Sequence, residues 1–166
     1  HAPFDILVSA ATGGSRAAGP FLKMDLDAYR ASFDKLWGYT NVVRLGAEHL
    51  SADGTIVLVS GAPARRARVG QSALASVGGA VEQFVRAVAP ELAPRRINVV
   101  SPGVIDTPMF GPDAEARAKM LAASTANHLI KRPGTSDEAA AAIRFLIEND
   151  FVTGTTIDVD GGWILS

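Results

Sequence analysis

Cysteine does not occur among the 166 residues of this chain, which excludes a disulfide framework and thiolate chemistry and fits a reducing cytoplasm. Long apolar runs are missing too. None approaches the roughly 18–20 residues that a membrane span requires, and Asp5 breaks the first apolar stretch with no basic segment ahead of it, so nothing there reads as a signal peptide. An excess of one charge is also lacking: 16 basic side chains face 17 acidic ones. That balance argues against a general nucleic-acid binder and against a polybasic membrane anchor. The three histidines, His1, His49 and His128, are too scattered to suggest a metal site. Tyrosine occurs only at Tyr29 and Tyr39, and no lysine lies between Lys35 and Lys119. What is present is ordinary for a folded cytoplasmic domain. Apolar residues make up 48% and charged residues 20%, enough to bury one core over residues 1–166.

Short apolar runs alternate with longer helical patterns, the signature of β-α-β units around a parallel sheet. Strands are expected over 4–9 (FDILVS), 55–60 (TIVLVS), 97–101 (INVVS) and 155–160 (TTIDVD). A Gly/Ser/Ala/Pro loop follows the first, and Asp53-Gly54 reads as a turn before the second. Apolar residues at spacings of three and four predict a helix over 27–50 and another over 72–92, which Pro90 should kink or end. A further helix is expected over 113–123. Thr135 followed by Glu138 has the form of a capping box, opening a last helix that runs to about Glu148.

Four pieces, in order, resemble the short-chain dehydrogenase/reductase family. Asp5-Ile6-Leu7-Val8 resembles the strand that ends in the family's Asn-Asn-Ala-Gly turn. Residues 54–60 (GTIVLVS) resemble the strand leading to its catalytic serine. The stretch 91–107, with Ser101-Pro102-Gly103-Val104-Ile105-Asp106-Thr107, matches its Pro-Gly-x-x-x-Thr segment. Thr153-Gly154 through Asp160-Gly161-Gly162 matches its C-terminal strand and turn. A lone Pro-Gly-x-x-x-Thr would be weak, because Pro-Gly after a strand is usually a turn; four ordered pieces are specific. The resemblance implies a Rossmann-like, doubly wound α/β fold with NAD or NADP as cofactor. It starts in the middle of that fold. No Gly-rich turn stands between a strand and a helix to cradle a pyrophosphate, since Gly13-Gly14 follows the family's fourth strand. The chain therefore resembles the C-terminal two-thirds of the fold, and an N-terminal βαβαβ part is expected ahead of it. Such a piece alone would expose an edge and faces of the sheet.

The resemblance also implies a Ser-Tyr-Lys set with a supporting Asn. Aligned on this chain, the serine position is Gly61, the tyrosine Leu74, the lysine Gly78 and the asparagine Lys35. The tyrosine and lysine counts make this independent of register. Leucine and glycine cannot donate a proton, and general acid–base catalysis is worth roughly 10²–10⁴-fold. Two side chains are candidates to take over. Lys35 could act as an acid if desolvation depresses its pKa, or it could simply point into solvent. Ser60 sits one residue before the lost serine, and could equally be a strand-end hydroxyl bonding local backbone.

By the same resemblance Pro102, Gly103, Val104, Ile105 and Thr107 would line the nicotinamide end of the cofactor. Ser9 and Ala10 fall where the Asn-Asn-Ala turn would be, without its amides. Arg65, Arg66 and Arg68 crowd the loop at the expected substrate mouth, where they would either attract an acidic ligand or stand solvated. Two functions stay open: an NAD(P)-dependent oxidoreductase acting on a carbonyl or alcohol of an unknown small molecule through an atypical site, or an inactive relative that serves in binding or assembly. A homodimer or homotetramer is expected, from Val42, Leu45 and Ala87 outside the core stripes and from an apolar tail, Trp163, Ile164 and Leu165, that a monomer would leave wet.

Overall fold

The computed structural model describes residues 3–11 and 16–166. Among these, four strands form one sheet in the order β1 (Phe4–Ser9), β2 (Leu50–Val59), β3 (Arg96–Pro102) and β4 (Thr156–Val159). Every pairing is parallel, as the alternation of short apolar and helical segments predicts. Helices α1 (Leu26–Ala31), α2 (Asp34–Gly46), α3 (Ser72–Leu92), α4 (Ala114–Thr125) and α5 (Ser136–Glu148) supply the connections and cover. The architecture is the Rossmann-like α/β fold expected above.

Side chains of successive strand residues alternate between the faces, and the core is split accordingly. Ile56 and Leu58 of β2 and Ile97 and Val99 of β3 pack with Tyr39 and Val43 of α2 and Val81 and Val85 of α3. Val57 and Val100 turn to the other face, against Leu146 of α5. Arg96 is buried where β3 begins. Its guanidinium donates to the carbonyls of Leu146 and Ile147, both at 2.7 Å, and to Asp150 at 3.2 Å. It thereby satisfies carbonyls left open at the end of α5. On β1, the edge strand among the described residues, Ile6 and Val8 stay 49% and 42% exposed.

The structure departs most from the sequence expectation in two places, while α3 keeps its expected bounds. The helix expected over 27–50 is two. The Asp25 carboxylate caps α1 by accepting from the Ala28 amide at 2.7 Å, and the chain breaks at Ser32. There the hydroxyl donates back to the Ala28 carbonyl and accepts the Ala17 amide, both at 2.9 Å, a side-chain bond that competes with helix continuation. The Asp53-Gly54 turn is an excursion within β2, where the register with β1 jumps from Phe4–Leu50 to Ile6–Thr55. A Cβ on Gly54 would meet Leu50 Cγ at 2.5 Å. Pro90 lies inside α3, which ends two residues later at Leu92; near a C-terminus the ring forfeits one bond and little else. The capping box at Thr135 and Glu138 is present, and Asp113 caps α4.

Candidate functional site

A cavity of about 550 Å³ opens beyond the C-terminal ends of β1, β2 and β3, where open parallel sheets bind ligands. Ala10 reaches it from the end of β1. Ser60 and Gly61 reach it from the end of β2, and Pro102, Gly103, Val104, Ile105 and Thr107 from the end of β3. Leu74 and Gly78 enter from α3 and Lys35 from α2. The structure thus brings together every nominated site residue except Ser9, which ends β1 in register with Leu58 and is not on the wall. Gly61, Leu74 and Gly78, the three positions matched to the Ser-Tyr-Lys set, share this one wall.

Neither tyrosine stands in for the missing acid. Tyr29 shares a hydrogen bond with Ser76 at 2.8 Å, away from the wall. Tyr39 is buried and donates to the Val59 carbonyl at 3.0 Å, and burial pushes its phenol up to about 12. Glycine at 78 has let the wall close: a Cβ there would meet Ala64 Cβ at 2.8 Å. At Gly61 a Cβ finds its nearest neighbour, Pro63 Cδ, at an ordinary 3.6 Å.

The two candidate replacements have different surroundings. Ser60 is buried and its hydroxyl donates to Glu82 Oε1 at 3.0 Å. Glu82 in turn pairs with Arg65 at 3.2 Å, and Arg65 reaches Asp158 at 3.6 Å. That hydroxyl is therefore committed to a charge network. Lys35 donates to the Ser60 carbonyl at 3.1 Å and lies 5.6 Å from the centre of the Tyr39 ring. Burial, and then the charge of Arg16, lower its ammonium from 10.5 to about 8.

Sequence reasoning missed two residues of the wall and one beside it. Arg16 lies on the wall with Nη2 at 2.9 Å from Met109 Sδ. Glu82 is buried one helical turn after Gly78, and its only signal was a carboxylate within the apolar stripe of α3. Trp163 is a correction. The tail was expected to lie wet in a monomer, but this ring is 5% exposed and lines the cavity. It stacks on His128 with centroids 5.9 Å apart and carries the Arg68 guanidinium 4.9 Å from its centre. Only Leu165 keeps the expected exposure, at 77%. Burial and the neighbouring Arg68 hold the His128 imidazole below its ordinary value.

Comparison with known proteins fits this geometry. A family model described as enoyl-(acyl carrier protein) reductase matches residues 1–164. The short-chain dehydrogenase/reductase ATR9 of Stachybotrys chlorohalonatus is 40% identical over 111 residues, 67% of this chain and 44% of that protein. The chain belongs to the short-chain dehydrogenase/reductase family. The L-xylulose reductase of Bos taurus is 30% identical over 98% of this chain and 68% of its own length. The crystal structure of a small-chain dehydrogenase in complex with NADPH superposes with a TM-score of 0.92 at 33% identity, over 99% of this chain and 76% of that one. The matched part spans less than half the length of the first curated relatives, at 44, 41 and 40%. Among the described residues no helix is long and apolar enough to cross a membrane.

Proposed function

We propose that this chain carries the substrate-side half of an NAD(P)-dependent oxidoreductase that interconverts a carbonyl and an alcohol, with Lys35 moving the proton. One observation carries this reading. Leu74 and Gly78 offer the cavity no acid, and Lys35 is the one side chain on its wall with a proton labile near pH 8.

A nicotinamide cofactor fits the residues present. Val104 and Ile105 give the wall at the end of β3 an apolar surface, with the Thr107 hydroxyl beside it, which suits a flat ring bearing a carboxamide. Gly103 allows β3 to turn there, since a Cβ would meet Asp160 Cα at 2.7 Å. Pro102, Gly103, Val104, Ile105, Thr107 and Ala10 would hold the nicotinamide end. When bound, the cofactor supplies or accepts the hydride. Lys35 donates a proton to the carbonyl oxygen during reduction and takes one back from the alcohol during oxidation. Its carbonyl partner at Ser60 keeps the ammonium at the cavity end of β2, and the apolar walls limit access of water. Ser60, tied to Glu82, holds this end of β2 in place.

The test is turnover of NADH and NADPH with a panel of aldehydes and ketones between pH 6 and pH 10. Reduction should fall above about pH 8, and Lys35→Met should lower it about 100-fold. Cofactor binding without turnover across the panel would favour the second reading, an inactive member that binds ligands. Assembly as a homodimer or homotetramer belongs to the same proposal. It is supported by an apolar groove between α2 and α3 lined by Leu36, Trp37, Phe84 and Ala87, with Trp37 64% exposed. A cytoplasmic location fits the absence of cysteine.

A further inference from the structure

Three cations line the cavity, Arg16, Lys35 and Arg68, and no aspartate or glutamate does. This is not a by-product of a basic protein, because the chain as a whole carries a net charge of −1. Elsewhere several guanidinium groups are paired, Arg65 with Glu82, Arg96 with Asp150, Arg117 with Asp106 and Arg132 with Glu138, while Arg66 and Arg95 donate to backbone carbonyls. Among the described residues, none of the three wall cations has a carboxylate within 4.0 Å. Arg16 meets a methionine sulfur at 2.9 Å, a weak acceptor. Lys35 meets a backbone carbonyl. Arg68 lies on the face of Trp163, with Nη2 3.5 Å from His128 Nε2.

We infer that the cavity binds a carbonyl compound bearing a carboxylate and an apolar body, with Arg16 and Arg68 holding the carboxylate. That this compound is the substrate rests on the oxidoreductase reading above; its binding does not. Guanidinium groups bind carboxylates through paired, charge-assisted hydrogen bonds. Such an anion would neutralise like charges that now face one another, the Arg16–Lys35 repulsion among them. The apolar body has its surface in Leu74, Val104, Ile143 and Trp163. Arg16, six residues beyond Ala10 in the loop after β1, and Arg68, in the loop after β2, lie outside the set proposed for the nicotinamide, Ala10 and the segment 102–107. That placement assigns them to the substrate and not to a cofactor phosphate.

The experiment is calorimetric titration of the protein with benzoylformate and phenylpyruvate, each against its methyl ester, and separately with NADPH and inorganic phosphate. The acids should bind at least about tenfold more tightly than the esters. Arg16→Gln and Arg68→Gln should each weaken the acids about tenfold, the worth of one charged hydrogen bond, while Arg144→Gln, at an exposed position on α5, should not. Thermal unfolding of each variant verifies that it is folded, and Arg68→Lys provides a second, milder change that keeps the charge and loses the fork. Equal binding of acid and ester, or no binding of either acid, would overturn the inference. So would variants that lose NADPH or phosphate while keeping the acids. Acid binding with no turnover would sink the oxidoreductase reading alone; turnover with no preference for acids would sink this inference alone.

Discussion

Two groups of charges flank the end of β2, and they are built in opposite ways. On one side Glu82, buried, receives the Ser60 hydroxyl and faces Arg65, with Arg86 at 3.8 Å and Asp158 beyond Arg65. Each charge there has an opposite partner. On the other side Arg16, Lys35 and Arg68 share a cavity wall with no carboxylate. A buried charge is costly unless paired, so the first group reads as structure. In the second group only Lys35 is largely withdrawn from water, while Arg16 and Arg68 are exposed at the mouth, so the group is open to an anion. Stability and function are thus separated across a single strand end, and the separation can be tested from both sides.

The largest effect is expected in the paired group. Glu82→Ala should leave the Ser60 hydroxyl without its acceptor and Arg65 with only the more distant Asp158, and cost about 3 kcal/mol, read as a lower urea midpoint at unchanged slope. A loss below about 1 kcal/mol would mean that the network is not structural.

Lys35→Met should act in the other direction. An ammonium lowered on folding from 10.5 to about 8 costs stability at every pH below 8. The cost fades as pH rises from 8 to 10.5, where the unfolded chain binds more protons. The native protein should therefore gain stability over that window. The variant should be about 2 kcal/mol more stable at pH 7 and show a flatter profile, measured by denaturation at several pH values. A methionine variant less stable than the parent at pH 7 would contradict the desolvation argument.

Smaller changes follow at the altered family positions. Gly78→Lys must displace Ala64, and despite the better helix propensity we expect a net loss of about 1 kcal/mol. Gly61→Ser has room and should be neutral within about 0.5 kcal/mol. Because Gly61 and Lys35 also depart from the family's pattern, Leu74→Tyr with Gly78→Lys should not give full family activity, which a ketone-panel assay of the double variant measures. Smallest on stability is Arg68→Gln, within about 0.5 kcal/mol, although it should weaken carboxylate binding about tenfold. A variant that loses both would return Arg68 to the structural group.

Much of this architecture was legible in the sequence, because strands buried on both faces leave short β-branched runs that local composition marks clearly. The convergence of Gly61, Leu74, Gly78, Pro102–Ile105 and Thr107 on one cavity was legible through ordered motifs. What was not legible depended on contacts between distant segments. The break at Ser32 needs the Ala17 amide, fifteen residues away. Trp163 looked like an exposed tail because nothing near it in sequence announces that His128 and Arg68 will pack against it. Arg16 sits in a segment whose composition reads only as a Gly/Ser/Ala/Pro loop, and its place on the cavity wall appears when Met109 comes alongside.

The central claim, that Lys35 is a desolvated ammonium among unneutralised cations, is open to direct measurement. The chain has four lysines, Lys23, Lys35, Lys119 and Lys131, so carbon-13 labelling of lysine gives four side-chain signals to titrate by NMR. One should titrate near pH 8, vanish in Lys35→Met, and move upward toward the ordinary range when benzoylformate is added. Four signals that all titrate near 10.5, unmoved by the acid, would contradict the account.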